Sequence, residues 1–541
     1  MQKINYAKIF AVRAVVCFII IISLCLSTIL RVAVVSTSDY GEVANTQAQY
    51  RIVVGKLRGT IYDCNMTPIT NANYKTFAAI PPTPQAIMQI SSHLQGSDKN
   101  LVLENLKDNV PAVCSVNEDF FADNIITTNV YENATGKVPA CHIIGYTDSS
   151  GHGVTGLQKA YDDLLYSDKC VSAVFEVDGK GNCLYGTTPY FENDNTVIHN
   201  GVITTIDLNM QTAVENALDQ LTTGCAIVSE VDNGKIRAIA SVPTFDLNNL
   251  SASLSDQTSP MINRAMCNYN VGSVFKPIIA AAAIEYGFPD TTFNCTGSMQ
   301  IADRVFRCHK LDGHSYVDMC KALSQSCNCY FYNISSLINT SAIYEKISSL
   351  SINSSIRIAD NMYTADGNLP QKNTLNNSAT LANLAIGQGN LLASPVAMLN
   401  LYSAIAGDGS YYLPSIVEGI VTKSGVEYYD IGSKTKVMQE STAQILQSHL
   451  KNVIIDGTGK DAQPSFCTAA GKTATAQTGR YYEDGTEITN SWFCGFFPSS
   501  KPEYVVIVMS DSKQNVSTAS IFAQIVDDIT KINLENREND D

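Results

Sequence analysis

Val271-Gly272-Ser273-Val274-Phe275-Lys276-Pro277, followed by the apolar run Ile278 to Ile284 and then by Gly287, is the stretch that decides how this chain folds. Proline at 277 fits the first turn of a helix, where its missing N–H has no partner to lose. Gly287 closes the run as a helix C-cap does. The helix therefore starts near Ser273, with unpaired backbone N–H groups at its mouth. Ser273 and Lys276 stand one turn apart on one face. A lysine buried against an apolar helix loses the solvation of its charge, and its pKa falls. The neutral amine can then take the proton of a neighbouring hydroxyl. A helix cap followed by a solvated lysine fits the bare spacing too, and Ser433-Lys-Thr-Lys436 and Ser510-Asp-Ser-Lys513 repeat it. Neither opens an apolar helix, so Ser273 is the expected nucleophile and Lys276 its base.

Two further motifs follow in order. Ser326-Cys327-Asn328 sits where one helix meets its successor. A hydroxyl and an amide two residues apart face one cleft if the chain turns there. The hydroxyl can relay a proton and the amide can hold a peptide backbone. Ser351-Ile-Asn353 and Ser115-Val-Asn117 show that the pattern alone is equally a capping motif. The third motif is a lysine on a strand that clamps a carboxylate. Lys423-Ser-Gly425 and Lys472-Thr-Ala474 both offer it. Lys423 lies between Gly419–Thr422 and Val426–Tyr429, a plain hairpin turn. Lys472 is followed by two apolar strand-like segments, so Lys472 is the expected clamp, with Thr473, Ala474 and Thr475 lining the strand. Ala474 adds a methyl where close backbone approach usually takes glycine.

Around these motifs the pattern is α+β. Cys225–Val231 and Ile236–Val242 flank the turn Asp232-Asn-Gly-Lys235 as a hairpin. Strands are expected at 471–477, 491–497 and 503–509, and helices at 273–286, 318–338, 379–387 and 394–406. Asp207 caps a helix from Met210 to Leu221. An antiparallel sheet built from both ends of this region, with helical layers formed by the middle, satisfies the pattern.

The chain has 541 residues and a formal charge of −15, with no basic cluster, which argues for several domains and against nucleic-acid binding. Lys3, Lys8 and Arg13 precede an apolar run that supplies a span over 14–35. The positive flank puts residues 1–13 in the cytoplasm and the rest outside as a single-pass membrane protein; a cleaved signal peptide is the alternative. Of 16 cysteines, Cys17 and Cys25 fall in the span. Cys295 and Cys308 form the best candidate disulfide pair. A zinc site using Cys295, Cys308, His309, His314 and Cys320 is a further possibility, although its spacing follows no standard ligand pattern. The expected chemistry requires no metal and no cofactor.

Together these residues resemble a class B, monofunctional penicillin-binding protein of a bacterium. Arg58-Gly-Thr-Ile-Tyr-Asp63 and Gly153-Val-Thr-Gly-Leu-Gln158 resemble segments of that family's N-terminal pedestal. Ala238–Asp246, Asn263-Arg-Ala265, Ala385-Ile-Gly-Gln-Gly389 with Ser394-Pro395, and Ser491-Trp-Phe-Cys-Gly-Phe496 resemble its transpeptidase domain. Ala474 and Gly313-His-Ser315 depart from the pattern. The resemblance implies a penicillin-binding, serine β-lactamase-like transpeptidase domain at 201–535 and a mixed α/β pedestal or dimerisation-like domain at 51–200, while polar composition marks a linker at 36–50 and acidic composition a tail at 536–541. It implies a D,D-transpeptidase that cross-links peptidoglycan stem peptides and is acylated by β-lactams. Ser273 would attack, Lys276 deprotonate, Ser326 relay, Asn328 orient, and Lys472, Thr473 and Thr475 hold the terminal carboxylate. The Ser273 and Thr475 N–H groups would form the oxyanion hole. A polytopic membrane glycosyltransferase is the expected partner. A D,D-carboxypeptidase and a weakly catalytic scaffold or sensor are the alternatives.

Overall fold

The computed structural model describes residues 6–37, 48–93, 98–118, 120–122, 124–134, 136–193, 195–430, 432–512 and 514–540. Residues 1–5 of the expected cytoplasmic tail, 38–47 of the expected linker, Lys513 and Asp541 lie outside the described residues. The apolar run forms one helix, Tyr6–Thr37, and its Ala7–Ser36 stretch is long and apolar enough to cross a membrane.

The chain groups into two compact units, and the 51–200 stretch read as one pedestal contributes to both. The first holds Met1–Leu57, Asn73–Glu132 and Asp168–Val197. Its Gln49–Lys56 strand pairs antiparallel with Cys170–Glu176, which pairs in turn with Tyr190–Glu192. A second small sheet sets Asn73–Ile80 between Ala112–Val116 and Ile126–Glu132. Helices Pro84–Ser91 and Asp98–Lys107 cover it, burying Ala86, Ile90, Val102 and Leu106 against Ala78 and Ile80.

The second unit holds Arg58–Ala72, Asn133–Ser167 and Ile198–Asp541. Two family-like segments meet inside it. The buried Arg58 guanidinium donates to Gln158 Oε1 at 2.6 Å, to the carbonyls of Gln158 and Gly151 at 2.8 Å, and to Asp162 Oδ1 at 2.8 Å. Burial alone would lower the charge affinity of this arginine, and the facing Asp162 restores part of it.

The centre of this unit is a five-stranded sheet. Its strands are β1 (Gly224–Glu230), β2 (Ile236–Val242), β3 (Ala470–Tyr481), β4 (Glu487–Phe497) and β5 (Tyr504–Ser510), in the spatial order β2-β1-β5-β4-β3 with every pair antiparallel. The expected hairpin and three C-terminal strands are thus all present, with β3 and β4 running further than their apolar cores. Strand periodicity sorts the side chains onto two faces. Val506, Val508, Phe493 and Phe497 face one apolar layer, built with α1 (Leu208–Leu218) and α7 (Thr518–Asp540). Val505, Ile507, Met509, Trp492, Cys494 and Phe496 face the other.

That second layer holds α2 (Lys276–Glu285), α3 (Met319–Ser324), α4 (Asn328–Ser336), α5 (Pro395–Ala406) and α6 (Glu440–Asp456). Every side chain of α5 is buried, as a helix apolar on all faces requires. The single helix expected over 318–338 is two helices broken at Gln325 to Cys327. The expected helix at 379–387 appears as Ser378–Ala385. Asp207 caps α1 by accepting from the N–H groups of Asn209 and Met210. The C-terminal residues read as an acidic tail continue α7 to Asp540 instead, because the helix is already nucleated on the sheet through Ile521, Phe522, Ile525 and Ile529.

Candidate active site

Ser273 lies on a 3₁₀ turn, Gly272–Phe275, that leads directly into α2. Side chains three residues apart eclipse in a 3₁₀ turn, which sets Ser273 and Lys276 on one side more strictly than an α-turn would. Pro277 occupies the first turn of α2 as expected. The turn is held from three directions. Tyr402 on α5 donates its hydroxyl to Val274 O at 2.9 Å, Gly272 N–H donates to Gly387 O at 2.9 Å, and Trp492 Nε1 on β4 donates to Asn270 O at 3.0 Å. Ser273 itself is half-buried while Val274, Phe275 and Lys276 are fully buried.

Lys276 has no exposed surface, and its ammonium group meets the second motif. Its Nζ donates to Ser326 O at 2.7 Å and to Asn328 Oδ1 at 2.8 Å, and stands 3.2 Å from Ser326 Oγ. The Phe331 ring lies 5.3 Å from Nζ. Burial lowers the Lys276 pKa to about 8. As a neutral amine it can keep the two short donor bonds and turn its lone pair toward a hydroxyl. Ser326 reaches this geometry through a left-handed backbone, φ 56°, which ends α3 and lets Cys327 open α4. That break is what puts Ser326 Oγ and Asn328 Oδ1 on one amine.

Lys472 lies on β3, the edge strand, and is equally buried. Its pKa is depressed well below the ordinary lysine range, first by burial and then by the charge of Lys276, so the two amines share one region of field. Lys472 Nζ donates to Thr473 O at 3.0 Å. Along β3 the residues alternate: Lys472, Ala474 and Ala476 point inward, Thr475 and Gln477 outward, with Thr473 partly exposed. The sheet leaves alternate N–H groups of an edge strand unpaired. The Ala474 and Ala476 methyls abut Gly272, where an added Cβ would come within 3.4 Å and 3.0 Å of them. The methyl at 474 therefore fills space beside the 3₁₀ turn and does not crowd the open edge. Lys423 stands far from this chemistry in character: it is an exposed turn residue between Val417–Thr422 and Gly425–Tyr428.

Thr458 escaped the sequence reading. Its Oγ1 lies 2.6 Å from Thr473 Oγ1, so it orients that hydroxyl. No local pattern announces it, since the contact depends on the loop after α6. Cys327, the middle residue of the second motif, places its side chain in a cluster with Cys295, Cys308 and His314. Cys295 and Cys308 carry free thiols here, so the expected disulfide between them is not formed. Cys320, placed with them in the zinc alternative, instead accepts from Asn452 Nδ2 at 3.1 Å, outside that cluster.

The antiparallel sheet with helices on both faces, entered by the 3₁₀ turn of Ser273, is the penicillin-binding transpeptidase fold. The family model for the penicillin binding protein transpeptidase domain matches residues 224–531, and the chain belongs to that family. Stage V sporulation protein D of Bacillus subtilis is 27% identical over 415 residues, 73% of this chain and 62% of that protein, so the chain spans less than two thirds of that relative. Penicillin-binding protein PbpB of Mycolicibacterium smegmatis is 26% identical over 470 residues, 80% of this chain and 70% of that protein. Among solved structures, the D,D-transpeptidase domain of a peptidoglycan glycosyltransferase from Eggerthella lenta superposes with a TM-score of 0.65 at 20% identity, covering 88% of this chain and 99% of that one. Penicillin binding protein 3 of Mycobacterium tuberculosis, complexed with aztreonam, gives 0.63 at 21% identity, covering 90% and 97%. At these identities the structural likeness carries the fold alone.

Proposed function

We propose that the chain is a peptidoglycan D,D-transpeptidase that works through a serine acyl-enzyme. The observation that carries this reading is the Lys276 amine, fully buried and bonded at once to Ser326 and Asn328, one 3₁₀ turn from Ser273. Ser273 Oγ attacks the carbonyl between the two terminal D-alanines of a stem peptide as Lys276 takes its proton. The oxyanion is held by the N–H groups of Ser273 and Thr475, the latter on the open edge of β3. Ser326 passes a proton to the leaving D-alanine, and Asn328 aligns the peptide. Lys472 and Thr473, the latter oriented by Thr458, hold the terminal carboxylate beside Ala474. An amine of a neighbouring stem peptide then resolves the ester. The names of the relatives, among them peptidoglycan D,D-transpeptidases, support this substrate class. In this reading the helix Tyr6–Thr37 anchors the chain as a single membrane pass, with the second unit outside and a polytopic membrane glycosyltransferase as partner.

Incubation of the purified full-length protein with a fluorescent penicillin tests the proposal. Covalent label that maps to the Ser273 peptide and disappears in Ser273→Ala is the expected result. Label that survives this substitution, or no label on folded protein, defeats it.

A further inference from the structure

We propose that Cys295, Cys308, His314 and Cys327 bind one zinc ion, and that this ion fixes the backbone between Ser326 and Asn328. The four ligand atoms lie within 4.8 Å of one another and all four residues are buried. His314 Nδ1 stands 3.6 Å from Cys295 Sγ and 3.5 Å from Cys308 Sγ. Zinc–sulfur bonds of about 2.3 Å and zinc–nitrogen bonds of about 2.0–2.1 Å at a tetrahedral angle place S and N about 3.5 Å apart. The two measured separations match that geometry. Three thiols and an imidazole with no open position make a closed, structural set.

The fold presents these ligands deliberately. Cys295 ends the strand Phe293–Cys295 and pairs with Ser315, which brings His314 alongside. Cys308 follows the hairpin of Ser298–Ile301 and Arg304–Arg307, and its N–H donates to Gly297 O at 2.9 Å. Gly297 and Gly313 have φ of +93° and +79°, and a Cβ on them would come within 1.7 Å and 2.1 Å of backbone oxygens. Only glycine closes these turns around the cluster. Asn328 N–H donates to Cys308 Sγ at 3.4 Å, an outer hydrogen bond that orients a thiolate ligand. The Cys329 thiol also meets Cys308.

The functional weight lies with Cys327. It is the middle residue of Ser326-Cys-Asn328, and its neighbours on both sides hold the Lys276 amine. Ser326 is kept in a left-handed conformation, φ 56°, that a residue with a side chain rarely adopts. A metal bond to the next residue over-determines that turn. The metal site stands on the cluster alone; its effect on acylation rests on the reading given under Proposed function.

The test is zinc content of the reduced full-length protein in detergent, by plasma mass spectrometry, after dialysis against zinc-free buffer. About one zinc per chain is expected, and cobalt substitution should give the thiolate charge-transfer and ligand-field bands of a tetrahedral site. Cys295→Ser and His314→Ala should lose at least tenfold in zinc affinity, while Cys467→Ser, outside the cluster, should keep it. Should those variants fail to fold, a strong chelator applied to the unsubstituted protein should slow fluorescent penicillin labelling, and added zinc should restore it. Folded protein that takes up no zinc, zinc retained by both cluster variants, or a disulfide between cluster cysteines overturns the site. Zinc bound at full stoichiometry with labelling indifferent to its removal overturns the positioning role. Absent labelling with zinc in place counts only against the acyl-enzyme.

Discussion

At the scale of the residue, the proposed chemistry rests on two buried lysines. Lys276 is held near pH 8 by burial, so below that value the group is an ammonium with no lone pair, and above it an amine. The second-order rate of penicillin acylation should therefore fall by about tenfold per pH unit below about 8 and level off above it, as general-base behaviour requires. Stopped-flow labelling across pH 5.5 to about 10 reads this, and a flat profile contradicts the role of Lys276. Lys472 and Lys423 both open lysine–hydroxyl tripeptides, and only the first is buried on the sheet. Lys472→Ala should lower acylation by roughly a hundredfold, the scale of one lost preorganised electrostatic contact. Lys423→Ala should leave it within about twofold, because an exposed turn lysine contributes little. Equal losses in the two variants would reverse the assignment.

At the scale of the element, the 3₁₀ turn before α2 depends on a neighbouring glycine. Gly387 has φ +72°, and a Cβ there would sit 2.0 Å from the carbonyl oxygen of Gly272. Gly387→Ala should cost at least about 1–2 kcal/mol, from the left-handed backbone alone, and should shift the turn that carries Ser273. Thermal denaturation should show the loss, and labelling should slow with it. The turn, hairpin and cap signals of this unit were legible because they are local: Pro277, Asp232-Asn-Gly-Lys235 and Asp207 each fix their own backbone. The positions of Ser273 and Lys276 followed from the same local logic. α6 went unread although Ala443, Leu446, Leu450 and Val453 follow helical spacing, since polar residues crowd the other face. The break between α3 and α4 was visible only as a junction, for nothing in Gln325-Ser-Cys announces a left-handed serine. Thr458 and the thiol of Cys327 were illegible because their meaning arises from contacts across distant segments.

At the scale of the whole molecule, long-range pairings do what local signals cannot. Arg58 joins residues 58–72 to 133–167 through four hydrogen bonds within one unit. Arg58→Ala strands the partners of a buried cation and should destabilise that unit by about 2–3 kcal/mol, on the scale of hydrogen bonds to charged groups. Urea unfolding of the full-length protein checks it, while labelling at low temperature should persist, because Arg58 lies outside the candidate site. An unchanged midpoint would show that the guanidinium is dispensable.

The order of the central sheet carries one more consequence. β5, the last strand in the chain, sits between β1 and β4 and joins the early hairpin to the late one. A polypeptide emerging from its amino end makes β1 and β2 first and then waits through more than two hundred residues before the strand that completes them. Until Tyr504–Ser510 has been synthesised, one side of that hairpin is an unsealed seam, open to any other extended segment nearby. The sheet that carries β3, and with it the proposed site, can therefore close only once β5 has been made, which makes its assembly a late step of folding.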